Sequence, residues 1–237
     1  MQVGMLLTLC LCCFLPGCAV SHDGPASGLV TLRYGNFVSS AVTIGPSTIL
    51  GAAHTLPDRS IDPNAIRIDG ADPDSVVVIA DGFAQRRRSS DTSFFTIHSH
   101  AVFEDFIILK TDLPLAPTEY LIPDDFAETM RSAYRFEVIT RNRSTQSETR
   151  LAAKNVVYDV DHRVIGFTYE RADHQYQYYL SGSPLVARHR DGSRYLLGIV
   201  SARGTVPIDG DIQANTVLAC PIDVIPLKEI QSHDMHQ

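Results

Sequence analysis

The chain has 237 residues, 44% of them hydrophobic, and a formal net charge of −7. That length and apolar content suffice for a sizeable core in one folded unit and exclude an intrinsically disordered chain. The acidic balance argues against a nucleic-acid partner, which calls for a basic surface; the one basic run, Arg86-Arg87-Arg88, lies between Gln85 and Ser89 and reads as a solvated hairpin tip.

Residues 1–18 read as a targeting segment. Met5 to Leu15 is an apolar run of the length of a secretory signal core and too short to span a membrane. It ends at Leu15-Pro16-Gly17-Cys18, which resembles the bacterial lipobox: an apolar residue, a small residue, then the cysteine that is lipidated after cleavage. Lipidation at Cys18 and plain signal-peptidase cleavage nearby are the two readings, and either exports the chain from the cytoplasm. On the first, the protein belongs to a bacterial cell envelope and meets a membrane only through its anchor. Ala19 to Ala26, with Ser, Asp, Gly and Pro, suits a tether between anchor and domain.

Cysteine usage fits export without disulfides. Cys10, Cys12 and Cys13 fall in the removed segment and Cys18 carries lipid, which leaves Cys220 alone and unable to form an internal disulfide. It ends the apolar run Thr216 to Ala219 and reads as core rather than as a reactive thiol. His98 and His100 lack a third ligand at zinc spacing, so no metal site is expected.

From residue 27 onward the chain reads as short β-strands divided by turns. Leu29 to Arg33, Val38 to Ile44, Ile66 to Ile68, Val76 to Ile79, Phe94 to Ile97 and Phe106 to Leu109 are rich in β-branched and aromatic residues, with Pro46, Asp69-Gly70 and Asp81-Gly82 as punctuation. Thr111 to Phe126 holds Pro114, Pro117 and Pro123 without periodicity and reads as a linker. Strands resume at Phe136 to Thr140, Val156 to Tyr158 and Val164 to Tyr169. A loop, Ala172 to Tyr178, follows, and then Leu185 to Ala187 and Tyr195 to Val200 flank an Asp191-Gly192 turn. In the tail, Val224, Leu227 and Ile230 stand at helical spacing despite Pro226.

Three stretches carry chemistry. Tyr179-Leu180-Ser181-Gly182-Ser183-Pro184-Leu185 puts a serine hydroxyl on a tight turn that glycine permits. Thr48 to His54 is an apolar run ending in Ala-Ala-His, which offers a base. Asp105 opens the buried strand Phe106 to Leu109 and offers an acid that holds an imidazole in one tautomer.

In this order the three stretches resemble the trypsin-like, chymotrypsin-fold serine peptidases, whose motifs are T-A-A-H, D-I-A-L-L and G-D-S-G-[GS]-P. A fourth match, Leu197-Gly198-Ile199-Val200-Ser201, is similar to the family's G-I-V-S strand. The resemblance implies an all-β fold of two six-stranded antiparallel β-barrels with a short C-terminal helix. It sets barrel one at about 27–111, a linker at about 112–126 and barrel two at about 127–222, within a peptidase domain over 27–237. It implies a peptide-bond hydrolase acting on protein or peptide substrates without a cofactor, with Ser181 as nucleophile, His54 as base and Asp105 orienting the ring. Ser181 and Tyr179 would supply the oxyanion-hole N–H groups, Ser201 would hold Asp105 and meet the substrate backbone, and Gln175, six before the nucleophile, would floor the primary pocket, with Asp173 or His174 in that place if the loop is shifted.

The match departs from the family at Tyr179-Leu180, where the motif has Gly-Asp. A residue with a Cβ adopts the family's donor conformation less readily than glycine, and loss of one oxyanion donor slows such chemistry on the order of 10²–10³-fold. Leu180 also has no carboxylate to receive a freed α-amino group, which removes trypsin's activation route. Two classes therefore stand, an active endopeptidase and a catalytically impaired trypsin-fold binding module; an esterase using the same groups is a third.

Overall fold

The computed structural model describes residues 28–56, 65–69, 84–88, 94–96, 103–110, 118–169, 178–208 and 211–227. They form an all-β molecule of two antiparallel assemblies with a single α-helix among the described residues. The first comprises β1 (Leu29–Tyr34), β2 (Phe37–Gly45), β3 (Thr48–Gly51), β4 (Ile66–Asp69), β5 (Ala84–Arg88) and β7 (Asp105–Lys110), in the order β4-β1-β2-β3-β7-β5. Gly35 and Asn36 connect β1 to β2 with Tyr34 opposite Phe37. Of the two only Gly35 has positive φ, at 57°, which is the two-residue turn whose twist matches that of its strands. This sheet curls as a half-barrel, and among the described residues β4 and β5 do not pair to close it.

The second assembly closes. β8 (Arg135–Arg141), β9 (Glu148–Asp159), β10 (Val164–Tyr169), β11 (Pro184–Arg188), β12 (Arg194–Ile208) and β13 (Asp211–Pro221) run in the order β11-β8-β9-β10-β13-β12, and β11 pairs back onto β12. Closure leaves no open edge within that ring. The architecture is consistent with the chymotrypsin-like fold that the motifs imply.

Several expectations are corrected. Arg86-Arg87-Arg88 is not a hairpin tip: it lies in β5, with Arg88 opposite Asp105 and Arg86 opposite Ile107. A terminal strand of a sheet accepts a charge run that a central strand would not. β6 (Phe94–Thr96), expected in the first barrel, pairs parallel with β12, Phe94 opposite Arg203. The helix is α1 (Phe126–Ser132), begun inside the expected linker, where the Asp125 carboxylate accepts the Glu128 N–H at 2.9 Å. At the other end the expected terminal helix opens instead as a 3-10 turn, Ile222–Val224; residues 228–231 of that expected helix, like the expected strand at 76–79, lie outside the described residues.

The two halves share one apolar core. Leu29, Val42, Leu50, Phe103, Phe106 and Ile108 from the first pack with Ile139, Val164, Val186, Leu196, Ile199 and Cys220 from the second. Strand alternation explains the split: Ile49, Ile107 and Leu109 point the other way, into a cluster confined to the first half. Backbone hydrogen bonds also cross, with the Phe103 N–H donating to the His162 carbonyl at 2.7 Å and the Ser40 N–H to the Ser181 carbonyl at 2.9 Å. The last of these brings the second half's serine turn against β2.

Candidate active site

β3 delivers the first side chain. After Gly51 the chain leaves the sheet through Ala52 and enters the 3-10 turn Ala53–Thr55. Both alanines are fully buried, so only small residues fit there, and the Thr55 hydroxyl donates to the Ala52 carbonyl at 2.7 Å to hold the turn. His54 is thereby presented at the seam, its side chain 24% exposed. Asp105, the first residue of β7, is fully buried. A buried carboxylate needs donors around it, and among the described residues it has three. The His54 backbone N–H reaches Oδ1 at 2.9 Å, the His54 ring Nδ1 meets Oδ2 at 2.6 Å, and the Ser201 hydroxyl donates to Oδ2. Ser201 is itself buried, in β12.

The serine comes from the second half. The Ser183 N–H donates to the Leu180 carbonyl at 2.9 Å, and Gly182 between them has φ 78°. Ser181 lacks positive φ, so the turn is type II, with glycine at the position that requires it. The fold adds a second requirement, since a Cβ on Gly182 would lie 1.9 Å from the Ser40 carbonyl oxygen. Within this turn the Ser181 Oγ stands 3.0 Å from His54 Nε2. Asp105, His54 and Ser181 are therefore one hydrogen-bonded line, assembled from residues 51 and 127 positions apart. A serine touching one ring nitrogen while a buried carboxylate holds the other is the arrangement that lets an imidazole take the hydroxyl proton.

Tyr179 is placed otherwise than expected. Its N–H, the anticipated second oxyanion donor, donates to the Arg141 carbonyl at 3.0 Å, because Tyr178 forms an antiparallel bridge with Asn142. The cause is local: the segment before Ser181 runs as an extra piece of strand beside the end of β8. Arg143 reinforces it, its Nε donating to the Tyr178 carbonyl at 3.1 Å and its guanidinium lying 5.1 Å from the centre of the Tyr179 ring. Asn142, a formal glycosylation site with Ser144, instead closes its own turn, its Oδ1 accepting the N–H groups of Ser144 at 2.9 Å and Thr145 at 3.1 Å.

Gln175 and Cys18 lie outside the described residues. Cys220 is fully buried with its Sγ 3.9 Å from the Phe103 carbonyl oxygen, and burial pushes its thiol well above the ordinary range, which keeps it an unreactive core group. Among the described residues no group of three or more His, Cys, Asp or Glu side chains is placed to hold a metal ion. Sequence reasoning missed the hydroxyls of Ser40, Thr140 and Ser183, all of which turn toward the segment before Ser181. No protein-family model matches the chain, and no curated protein matches it.

Proposed function

We propose that the protein is a serine endopeptidase of the trypsin-like kind. The single observation that carries the reading is the Asp105–His54–Ser181 line, with contacts of 2.6 and 3.0 Å. His54 Nε2 removes the Ser181 proton as Oγ bonds to the scissile carbonyl carbon. The proton then passes from Nε2 to the leaving amine as the C–N bond breaks; water, deprotonated in turn by His54, then bonds to the acyl carbon, and as the acyl C–Oγ bond breaks the proton on Nε2 returns to Ser181 Oγ. Asp105 stays ionised, fixes the ring tautomer and stabilises the imidazolium; Ser201 keeps the carboxylate in place. Gln175 as pocket floor belongs to the same proposal.

A fluorophosphonate probe tests this directly, because attack on phosphorus uses the same proton transfer. Ser181 of the native protein should be labelled at pH 8, and His54→Ala should lose most labelling. Intact protein that resists the probe would leave the second reading, a binding module. The observation favouring that reading is the engagement of the Tyr179 N–H with Arg141.

The extracytoplasmic, lipid-anchored placement is likewise a proposal, supported by Leu15, Gly17 and Cys18. Several acyl chains hold a protein firmly where one holds it marginally. The protein should sediment with membranes and Cys18→Ser should release it or stall its processing. Mass spectrometry showing an unlipidated N-terminus beyond residue 18 would leave secretion in its place.

A further inference from the structure

Three buried hydroxyls converge on one carbonyl. Ser40 Oγ of β2 donates to the Tyr179 oxygen at 2.6 Å, Ser183 Oγ at the entrance to β11 at 2.9 Å, and Thr140 Oγ1 of β8 at 3.0 Å. All three residues are fully buried. A carbonyl oxygen has two lone pairs, so three donors exceed what satisfying a buried acceptor requires. The peptide they grip lies two residues before the proposed nucleophile.

The five consecutive N–H groups from Tyr179 to Ser183 sort cleanly. Tyr179 donates to the Arg141 carbonyl, Gly182 to that of Val200 at 2.7 Å, and Ser183 to that of Leu180. Among the described residues nothing accepts from Leu180 or Ser181. In a trans peptide the C=O of one residue and the N–H of the next point in opposite directions. With the Tyr179 carbonyl held against three hydroxyls, the Leu180 N–H is turned away from them. Hydrogen bonds to a carbonyl also polarise its amide and strengthen the donor on the other side.

We propose that Ser40, Thr140 and Ser183 are positioning residues that fix and polarise the Tyr179–Leu180 peptide, making the Leu180 N–H, beside that of Ser181, the second donor to the substrate's acyl oxygen. This rests on the peptidase reading and replaces the donor that Tyr179 does not supply. Shared coordination makes the three hydroxyls redundant. One lost hydroxyl leaves two for two lone pairs; two lost leave the peptide free to rotate.

The test combines two readouts on the mature protein and its Ser40→Ala, Thr140→Val and Ser183→Ala variants, singly and in pairs. The first is the rate of fluorophosphonate labelling, with kcat and KM on a peptide substrate. The second is the ¹⁵N resonance of the Leu180 amide, which follows hydrogen bonding to the preceding carbonyl and does not depend on activity. Single variants should label within about tenfold of wild type. Pairs should slow on the order of 10²–10³-fold, the loss expected for one oxyanion donor. The loss should fall on kcat rather than KM, the Leu180 resonance should move, and Thr140→Ser should behave as wild type. Folded pairs that label at the wild-type rate, or a Leu180 resonance that stays in place, overturn the proposal. If one pair does not fold, the other two pairs, each of which also leaves a single hydroxyl on the Tyr179 carbonyl, decide through the same resonance. Wild-type protein inert to the probe, with Leu180 still responding to the hydroxyls, would sink the peptidase reading while upholding the positioning role.

Discussion

Gly182 is the residue whose side chain, if it had one, would most directly disturb the site. Its φ of 78° already disfavours a Cβ, and the Ser40 carbonyl 1.9 Å away forbids one without movement. Gly182→Ala should therefore cost about 1–3 kcal/mol from backbone strain, and relief of the clash should push the turn off β2, which the Ser40–Ser181 backbone bond holds. Urea unfolding should show the lost stability, and fluorophosphonate labelling should fall with it; unchanged values of both would mean the turn tolerates a Cβ. His54, Asp105, Ser181 and Ser201 are legible in the sequence because each sits in a short motif whose neighbours place it. Tyr179 is legible only as a missing glycine. Nothing local says that its N–H turns to Arg141, since that depends on a bridge between segments distant in the chain. Ser40 and Thr140 are hidden in the same way: each is an ordinary polar residue in a strand, and the carbonyl that gives its hydroxyl meaning lies 139 and 39 positions away.

At the level of elements, β-branched runs identify β1, β2, β8 and β10 because strand preference and burial agree there. The misreadings arise where they conflict. Three arginines in β5 suggest solvent, yet a terminal strand needs only backbone partners, and β7 provides them from Asp105 to Leu109. The apolar character of Phe94–Thr96 marks a strand correctly but carries no information about its partner, and the parallel pairing with β12 is a long-range outcome. For α1 the signal is present: Asp125-Phe126-Ala127-Glu128 has the acidic cap and the glutamate three residues on. Three upstream prolines draw the eye to a linker and conceal it. β12 extends as far as Ile208, beyond the run that hydrophobicity alone marks, because its hairpin with β13 continues past the apolar stretch.

For the whole molecule, the shared core matters more than the division into halves. Phe103, Phe106 and Ile108 pack in one cluster with Ile199, Leu218 and Cys220, so the halves cannot part without exposing apolar surface, at about 25 cal/mol per Å². Since His54 and Asp105 come from one half and Ser181 from the other, parting them dismantles the site as well. Cys220 stands at that boundary, on β13 with its sulfur facing the Phe103 carbonyl. In a chain beginning at Ala19 it is the sole thiol. The protein thus carries its own clock for separation: a thiol reagent can modify Cys220 only when the seam opens, and the rate at high reagent concentration equals the opening rate. That rate should be slow in native protein and rise in step with loss of fluorophosphonate reactivity as denaturant is added. Immediate modification of the native protein would mean that the seam breathes far more readily than its packing implies.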